Sequence, residues 1–112
     1  MKFEITLDCL DLDAVASFWG EALASPVEHT VEGRFAAVTC GELTVNLQRV
    51  REPKVGKNRV HLDLLVDDLA GELSRLESLG ATRTEAHDEF GQNWFVLGDP
   101  EGNEFCLAQA GQ

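Results

Sequence analysis

Paired cysteines, basic residues and long apolar runs are what this 112-residue chain has least of. Its three cysteines, Cys9, Cys40 and Cys106, are odd in number and show no C-x-x-C spacing. That argues against a disulfide framework and a structural zinc site, and for a reducing, cytoplasmic setting. No apolar stretch reaches the roughly 18 residues a membrane helix needs, and Glu4, Thr6 and Asp8 interrupt the apolar positions that follow Lys2. Neither a membrane span nor a signal peptide is expected. Only 9 residues are basic against 20 acidic, a formal net charge of −11. Such a field repels nucleic acid and anionic membrane surfaces, leaving neutral or cationic small molecules as partners.

The basic residues that do occur are clustered. Arg51, Lys54, Lys57 and Arg59 place four of the nine in the segment 51–59, which also holds Pro53 and Gly56 and shows no apolar periodicity. This reads as a linker crossing one domain that spans 1–112, with module one at 1–50 and module two at 60–110. Sliding the second half over the first by 57 positions places Leu7 on Leu64, Asp11 on Asp68 and Leu12 on Leu69. The order of elements repeats as well.

In the first half Phe3, Ile5 and Leu7 alternate with Glu4, Thr6 and Asp8, the signature of a strand with one buried face. Asp11 then caps a helix whose apolar stripe is Leu12, Val15, Phe18, Trp19, Ala22 and Leu23, and Pro26 ends it. A short strand near 27–31 and two more at 34–40 and 43–50, turning at Gly41-Glu42, complete the module. In the second half Val60, Leu62, Leu64 and Val66 alternate with His61, Asp63, Leu65 and Asp67. Asp67 or Asp68 caps a helix with the stripe Leu69, Leu73, Leu76 and Leu79, and Gly80 stands where a left-handed C-cap is expected. Asn93–Leu97 and Glu104–Ala108 supply strands around the turn Asp99-Pro100-Glu101-Gly102-Asn103. The expected fold is α+β: two tandem βαβββ modules forming a curved, cup-like mixed sheet with helices outside, because a half of about 50 residues cannot bury its own faces well alone.

The segments Leu7-Asp8-Cys9-x-Asp11, His61-Leu62-Asp63-Leu64-Leu65-Val66-Asp67-Asp68-Leu69 and Asp99-Pro100-Glu101-Gly102-Asn103-Glu104-Phe105 resemble the vicinal oxygen chelate superfamily of glyoxalases, bleomycin resistance proteins and extradiol dioxygenases. More narrowly, the chain looks like a bacterial glyoxalase-like domain protein. The resemblance implies a ligand in the cup, a homodimer and, in enzymatic members, a divalent metal held by residues on four strands. Carried over, the first-strand positions are Glu4 and His61 and the fourth-strand positions Gln48 and Cys106. His and Glu are usual there and Gln is an accepted variant, so His61 and Gln48 match, while Glu4 replaces a His and Cys106 a Glu. This set mixes hard oxygen ligands with a thiolate and suits no common divalent ion especially well, although zinc tolerates most of it.

On the strands, Glu4, Thr6, Asp8, Thr44, Asn46, Gln48, His61, Asp63, Glu104 and Cys106 alternate with core positions. The bland reading is the solvated side of a sheet. The functional one is a pocket wall of Thr6, Asn46, Gln48, Asp63 and Cys106, with Trp94 or Phe35 stacking on a planar ligand. His61 and Asp63, at i and i+2, form either an acid/base pair or a structural hydrogen bond. Glu4 is a candidate general base if burial raises its pKa. Cys106 is a candidate nucleophile beside His61 or, more ordinarily, a small buried hydrophobe. Of the other aromatic residues Trp19 and Phe18 read as helix core, and Phe90 and Phe95 complete the inventory. His29 and His87 fall in irregular or edge regions and are expected at the surface, and Gly91-Gln92-Asn93 reads as a loop.

Three functions follow. The first is a protein that binds a small molecule without a cofactor. The second is a lyase, isomerase or dioxygenase using Zn, Ni, Mn or Fe on His61, Gln48 and Glu4, with Cys106 or water completing the shell. The third is a structural module with no ligand.

Overall fold

The computed structural model describes residues 3–89 and 91–111; Lys2 and Phe90, named above, lie outside them. The chain divides into two compact units, one running through Lys54 and the other from Val55. The division falls inside the basic 51–59 segment, where the sequence carries no apolar pattern to pack.

In the first module β1 (Phe3–Cys9) leads through α1 (Leu12–Ala22) to β2 (Val27–Val31), β3 (Phe35–Cys40) and β4 (Leu43–Arg49). The second repeats this with β5 (Leu62–Val66), α2 (Leu69–Ser78), β6 (Thr82–Glu89), β7 (Gln92–Gly98) and β8 (Glu104–Gln109). The sheet orders are β1-β4-β3-β2 and β5-β8-β7-β6, the first and last strands of each module being parallel neighbours and the other pairs antiparallel. The fold is therefore the expected α+β arrangement of tandem βαβββ modules, with curved mixed sheets and no closed barrel.

Local chemistry explains the element ends. Asp11 accepts a hydrogen bond from the Ala14 amide at 3.1 Å, and Asp68, rather than Asp67, does the same for Gly71 at 3.1 Å. These caps satisfy donors that the first helical turn leaves without partners. Both helices close with the paired bonds of a Schellman motif: Ser25 to Gly20 at 2.9 Å with Ala24 to Glu21 at 3.1 Å, and Ala81 to Leu76 at 3.0 Å with Gly80 to Glu77 at 3.1 Å. The left-handed residue this motif needs is Gly80 (φ 116°) in α2 but Ala24 (φ 49°) in α1. A Cβ in that region is strained.

Strand β5 is shorter than its alternation predicts. It starts at Leu62, leaving Val60 exposed in the preceding segment and His61 immediately before the strand. Strand β6, anticipated only as an irregular or edge region, is a full eight-residue edge strand. All its residues except the half-buried His87 are exposed, so apolar alternation had nothing to mark there.

The two cores differ. In the first, Leu12, Val15, Phe18 and Trp19 of α1 and Ala36, Val38, Val45 and Leu47 of the sheet are buried, and Phe18 meets Trp19 edge to face at 5.4 Å. Gly20 lets α1 come down on β2, since a Cβ there would stand 2.6 Å from Val27 Cγ2. In the second, only Leu73 and Leu76 of α2 are buried, with Leu97, Phe105 and Leu107 on the sheet. Leu69 and Leu79, expected in the same stripe, are only half-buried.

The Asp99–Asn103 turn proves to be a self-contained structural device. Asp99 is 2% exposed and accepts from the Glu101 amide, the Asn103 amide and Asn103 Nδ2, each at 2.9 Å. Three donors hold this buried carboxylate in place and fix the return from β7 to β8.

Two substitutions, one inside α1 and one at the left-handed position just after it, should run against ordinary helix propensity. Gly20→Ala, normally stabilising by about 1 kcal/mol in a helix, is expected to lower stability by about 1–3 kcal/mol through the clash with Val27. Ala24→Gly is expected to raise it by about 1 kcal/mol by relieving the left-handed strain. Urea denaturation of both variants checks the pair, and the reverse order of stabilities would contradict this account.

Candidate functional site

Pairing register decides which polar side chains stand together. In the second sheet Phe105 and Leu107 are buried, so alternation turns Glu104, Cys106 and Ala108 to the other face. Across that face run two ranks: Asp63, Cys106, Val96 and Glu85, then Leu65, Ala108, Trp94 and His87. His61 sits one residue before Leu62, which pairs with Phe105. A cavity of about 450 Å³ opens on this face, lined by His61, Asp63, Leu65, Gln92, Trp94 and Cys106 among others. Four of the residues singled out from sequence, His61, Asp63, Trp94 and Cys106, thus meet in one cavity.

Its chemistry differs from the expectation in two respects. Burial pushes the Cys106 thiol up, and the Asp63 carboxylate raises it further through its charge and as the acceptor of the thiol's hydrogen bond. A raised thiol pKa makes Cys106 a weaker nucleophile at neutral pH than an ordinary cysteine. Asp63 accepts from that thiol, and an imidazole–carboxylate contact on this face that the sequence did not flag joins His87 to Glu85, at 2.8 Å. The hydrogen bond from His87 holds the Glu85 carboxyl below its ordinary value, helped by the charges of His87, Lys57 and His61. The His87 ring also stacks on Trp94, with centroids 4.8 Å apart and planes 14° from parallel. Sequence reasoning missed this pair because β6 carries no apolar alternation, although the i, i+2 spacing of Glu85 and His87 on a strand was there to be read.

In the first sheet Glu4 pairs with Thr44, Thr6 with Asn46 and Asp8 with Gln48. Gln48 neighbours Phe35, and the Thr44 hydroxyl lies 3.0 Å from that of Thr39. Glu4, Thr6, Asn46 and Gln48 therefore share the face opposite buried Val45 and Leu47. Glu4 and Gln48, however, stand four residues apart along parallel strands, about 13 Å at a strand's rise. The repeat also reassigns the position. Thr6 matches Asp63, and these pair with Asn46 and Cys106 respectively, so the counterpart of Cys106 is Asn46 and not Gln48. The offset between modules, 57 at the first strand, has become 60 at the last, since Cys106 minus Asn46 is 60. Connections of unequal length between the repeats account for the shift.

The candidate donors, a carboxylate, an amide, an imidazole and a thiol, mix hard and soft ligands and suit no common divalent ion especially well. Among the described residues no three His, Cys, Asp or Glu side chains come together as ligands for one ion, and the counterpart of the fourth-strand thiol is a neutral amide.

The glyoxalase-like domain family model matches residues 4–108. This chain belongs to the glyoxalase-like domain family. Its fold is that of the glyoxalase, bleomycin resistance and dioxygenase proteins of the vicinal oxygen chelate superfamily. Similar solved structures include lactoylglutathione lyase from Agrobacterium tumefaciens, with 20% identity and a TM-score of 0.74 over 98% of this chain and 93% of that one. A glyoxalase/bleomycin resistance/dioxygenase family enzyme from Burkholderia phytofirmans is 16% identical, with a TM-score of 0.77 over 95% of each chain. The bleomycin resistance determinant encoded on transposon Tn5 is 20% identical, with a TM-score of 0.69 over 100% of this chain and 99% of that one. At these identities the likeness is one of fold. No curated protein matches the chain. The Asp99–Asn103 segment that helped carry the resemblance to the glyoxalase-like family is a structural turn. No helix among the described residues is long and apolar enough to cross a membrane.

The state of Cys106 is directly measurable. In a Cys40→Ser background, which removes the exposed cysteine and leaves the buried Cys9, the pH profile of Cys106 alkylation is expected to lie above the ordinary thiol value of about 8.5. Asp63→Asn should move the profile down and speed alkylation at pH 8. An unchanged profile would show that Asp63 is not the thiol's partner.

Proposed function

We propose that this protein binds a small, planar, neutral or cationic molecule on the helix-free face of its second module, with no metal required. The observation that carries the reading is the convergence of His61, Asp63, Trp94 and Cys106 on one cavity of about 450 Å³. That volume lies within the range of about 300–1,000 Å³ common for small-molecule sites. Trp94, the exposed Leu65 and the half-buried Ala108 supply apolar contact, while Asp63 supplies negative charge. Neither Lys nor Arg lines the cavity, which disfavours an anion. Glu4, Thr6, Asn46 and Gln48 enter as candidates because they occupy the matching face of their own sheet. The metal-dependent lyase, isomerase or dioxygenase using His61, Gln48 and Glu4 is the second reading, and its mixed donor set, which suits no common divalent ion especially well, places it behind the first.

A homodimer is part of the same proposal. Leu65, Val55 and Val60 are 67%, 91% and 78% exposed, and an association that covers them would bury apolar area. Light scattering coupled to gel filtration is expected to give twice the chain mass, and a monomer at every concentration tested would dismiss the dimer.

For the binding itself, a panel of planar neutral and cationic compounds is titrated by calorimetry with a chelator present. At least one compound should bind. Trp94→Ala should weaken it by roughly 2-fold to 12-fold, the equivalent of about 0.5–1.5 kcal/mol for an aromatic contact. Binding that vanishes with the chelator and returns with Zn, Ni, Mn or Fe would replace this reading with the metal-dependent one.

A further inference from the structure

The second module has a second cavity, on the helix side of its sheet, and its origin lies in a difference between the repeats. In the first module Gly20 and Val27 bring α1 into contact with β2. The position 57 residues after Gly20 is Glu77, and its carboxylate meets Arg83 of β6 at 3.2 Å. Arg83 in turn lies over the Phe95 ring, 5.2 Å from its centroid. A charged pair with a long guanidinium side chain thus stands where the first module has a glycine against a valine. It joins the C-terminal end of α2 to the edge strand through two long side chains, where α1 meets β2 directly.

Ala70, Leu73, Ser74 and Glu77 recur at helical spacing and make one face of α2. Glu77 closes the C-terminal end of this face against β6. Toward the N-terminal end the face looks across a groove of about 760 Å³ onto Ala86, Asp88 and Phe95. The walls are apolar, and three carboxylates, Asp67, Asp68 and Asp88, line the same groove with no Lys or Arg. The helix N-terminus does not offer an anion site here. The Leu69 amide already donates to Gln109 Oε1 at 3.3 Å and the Gly71 amide to Asp68.

From this complementarity of shape and charge we infer that the groove between α2 and the β6–β7 pair binds a small amphiphilic cation, an apolar chain or ring bearing a quaternary or protonated amine. The apolar part lies on Leu73 and Phe95, and the cationic head faces Asp67 and Asp88. Asn93 and Gln109 border both this groove and the cavity under Proposed function, but the two bind on opposite sides of the sheet, because Phe95 and Trp94 point to opposite faces of β7.

The test uses octyltrimethylammonium below its micellar concentration, titrated into the full chain by calorimetry, with octyl sulfate and octyl glucoside as comparisons. Saturable one-to-one binding of the cation, at least tenfold tighter than of the sulfate, is expected. Ala70→Trp fills the groove from an exposed helix position and should weaken binding at least tenfold; Ser74→Trp replaces it if circular dichroism shows that the first variant fails to fold. Asp88→Asn should weaken binding about threefold, as loss of one exposed ion pair does. Trp94→Ala should leave the titration unchanged. No saturation by the cation, equal binding of octyl sulfate, or binding that survives the tryptophan variants but is lost in Trp94→Ala would each overturn the inference.

Discussion

Each module depends on the parallel pairing of its first strand with its last. A strand that enters, crosses through a helix and returns through two antiparallel partners leaves one sheet face under the helix and the other bare. The parallel pair then sets which residues stand level on the bare face. A shift of that register by a single residue would turn every polar side chain of the face into the core. Through this pairing Asp63 meets Cys106 and Thr6 meets Asn46, and the electrostatic state of the thiol follows from it.

Near-identical topology has been filled with different side chains in the two halves. The first helix carries Phe18, Trp19 and a close glycine contact and seals its sheet. The second carries the Glu72–Arg75 pair, at 2.7 Å, at the positions matching Val15 and Phe18, and the Glu77–Arg83 pair at the position matching Gly20. These partly exposed pairs add little to stability. Their consequence is spatial: apolar volume is missing under α2, and a groove remains. The second module therefore offers cavities on both faces of its sheet, whereas the first holds its stability in a closed core.

Much of the architecture was legible because periodicity, caps and turns are local. The alternation of Phe3 to Asp8, the Asp11 cap, the α1 stripe and the Gly80 stop each needed only neighbours in the chain. Where a signal depended on burial it failed with the burial: β6 is a strand although almost all of its residues face solvent, and Val60 continues an alternation that the strand does not follow. The candidate site was legible in part for the same reason. His61, Asp63, Trp94 and Cys106 could be assigned to one face by phase alone. Placing Gln48 with them required knowing how far each strand slides against its neighbour, and unequal connections between the repeats had moved that register by three positions.

By itself, then, the sequence determined the two βαβββ repeats, their helix-facing stripes and the acidic, polar character of the opposite faces, since all of these are written in spacing along one chain. Only the tertiary structure decided that Asn46 rather than Gln48 matches Cys106, that Asp63 stands level with the Cys106 thiol, that His87 covers Trp94 and that a groove opens beside α2. Those outcomes rest on contacts between residues distant in sequence, and hydrogen-bond register and packing volume settle them only when the strands come together.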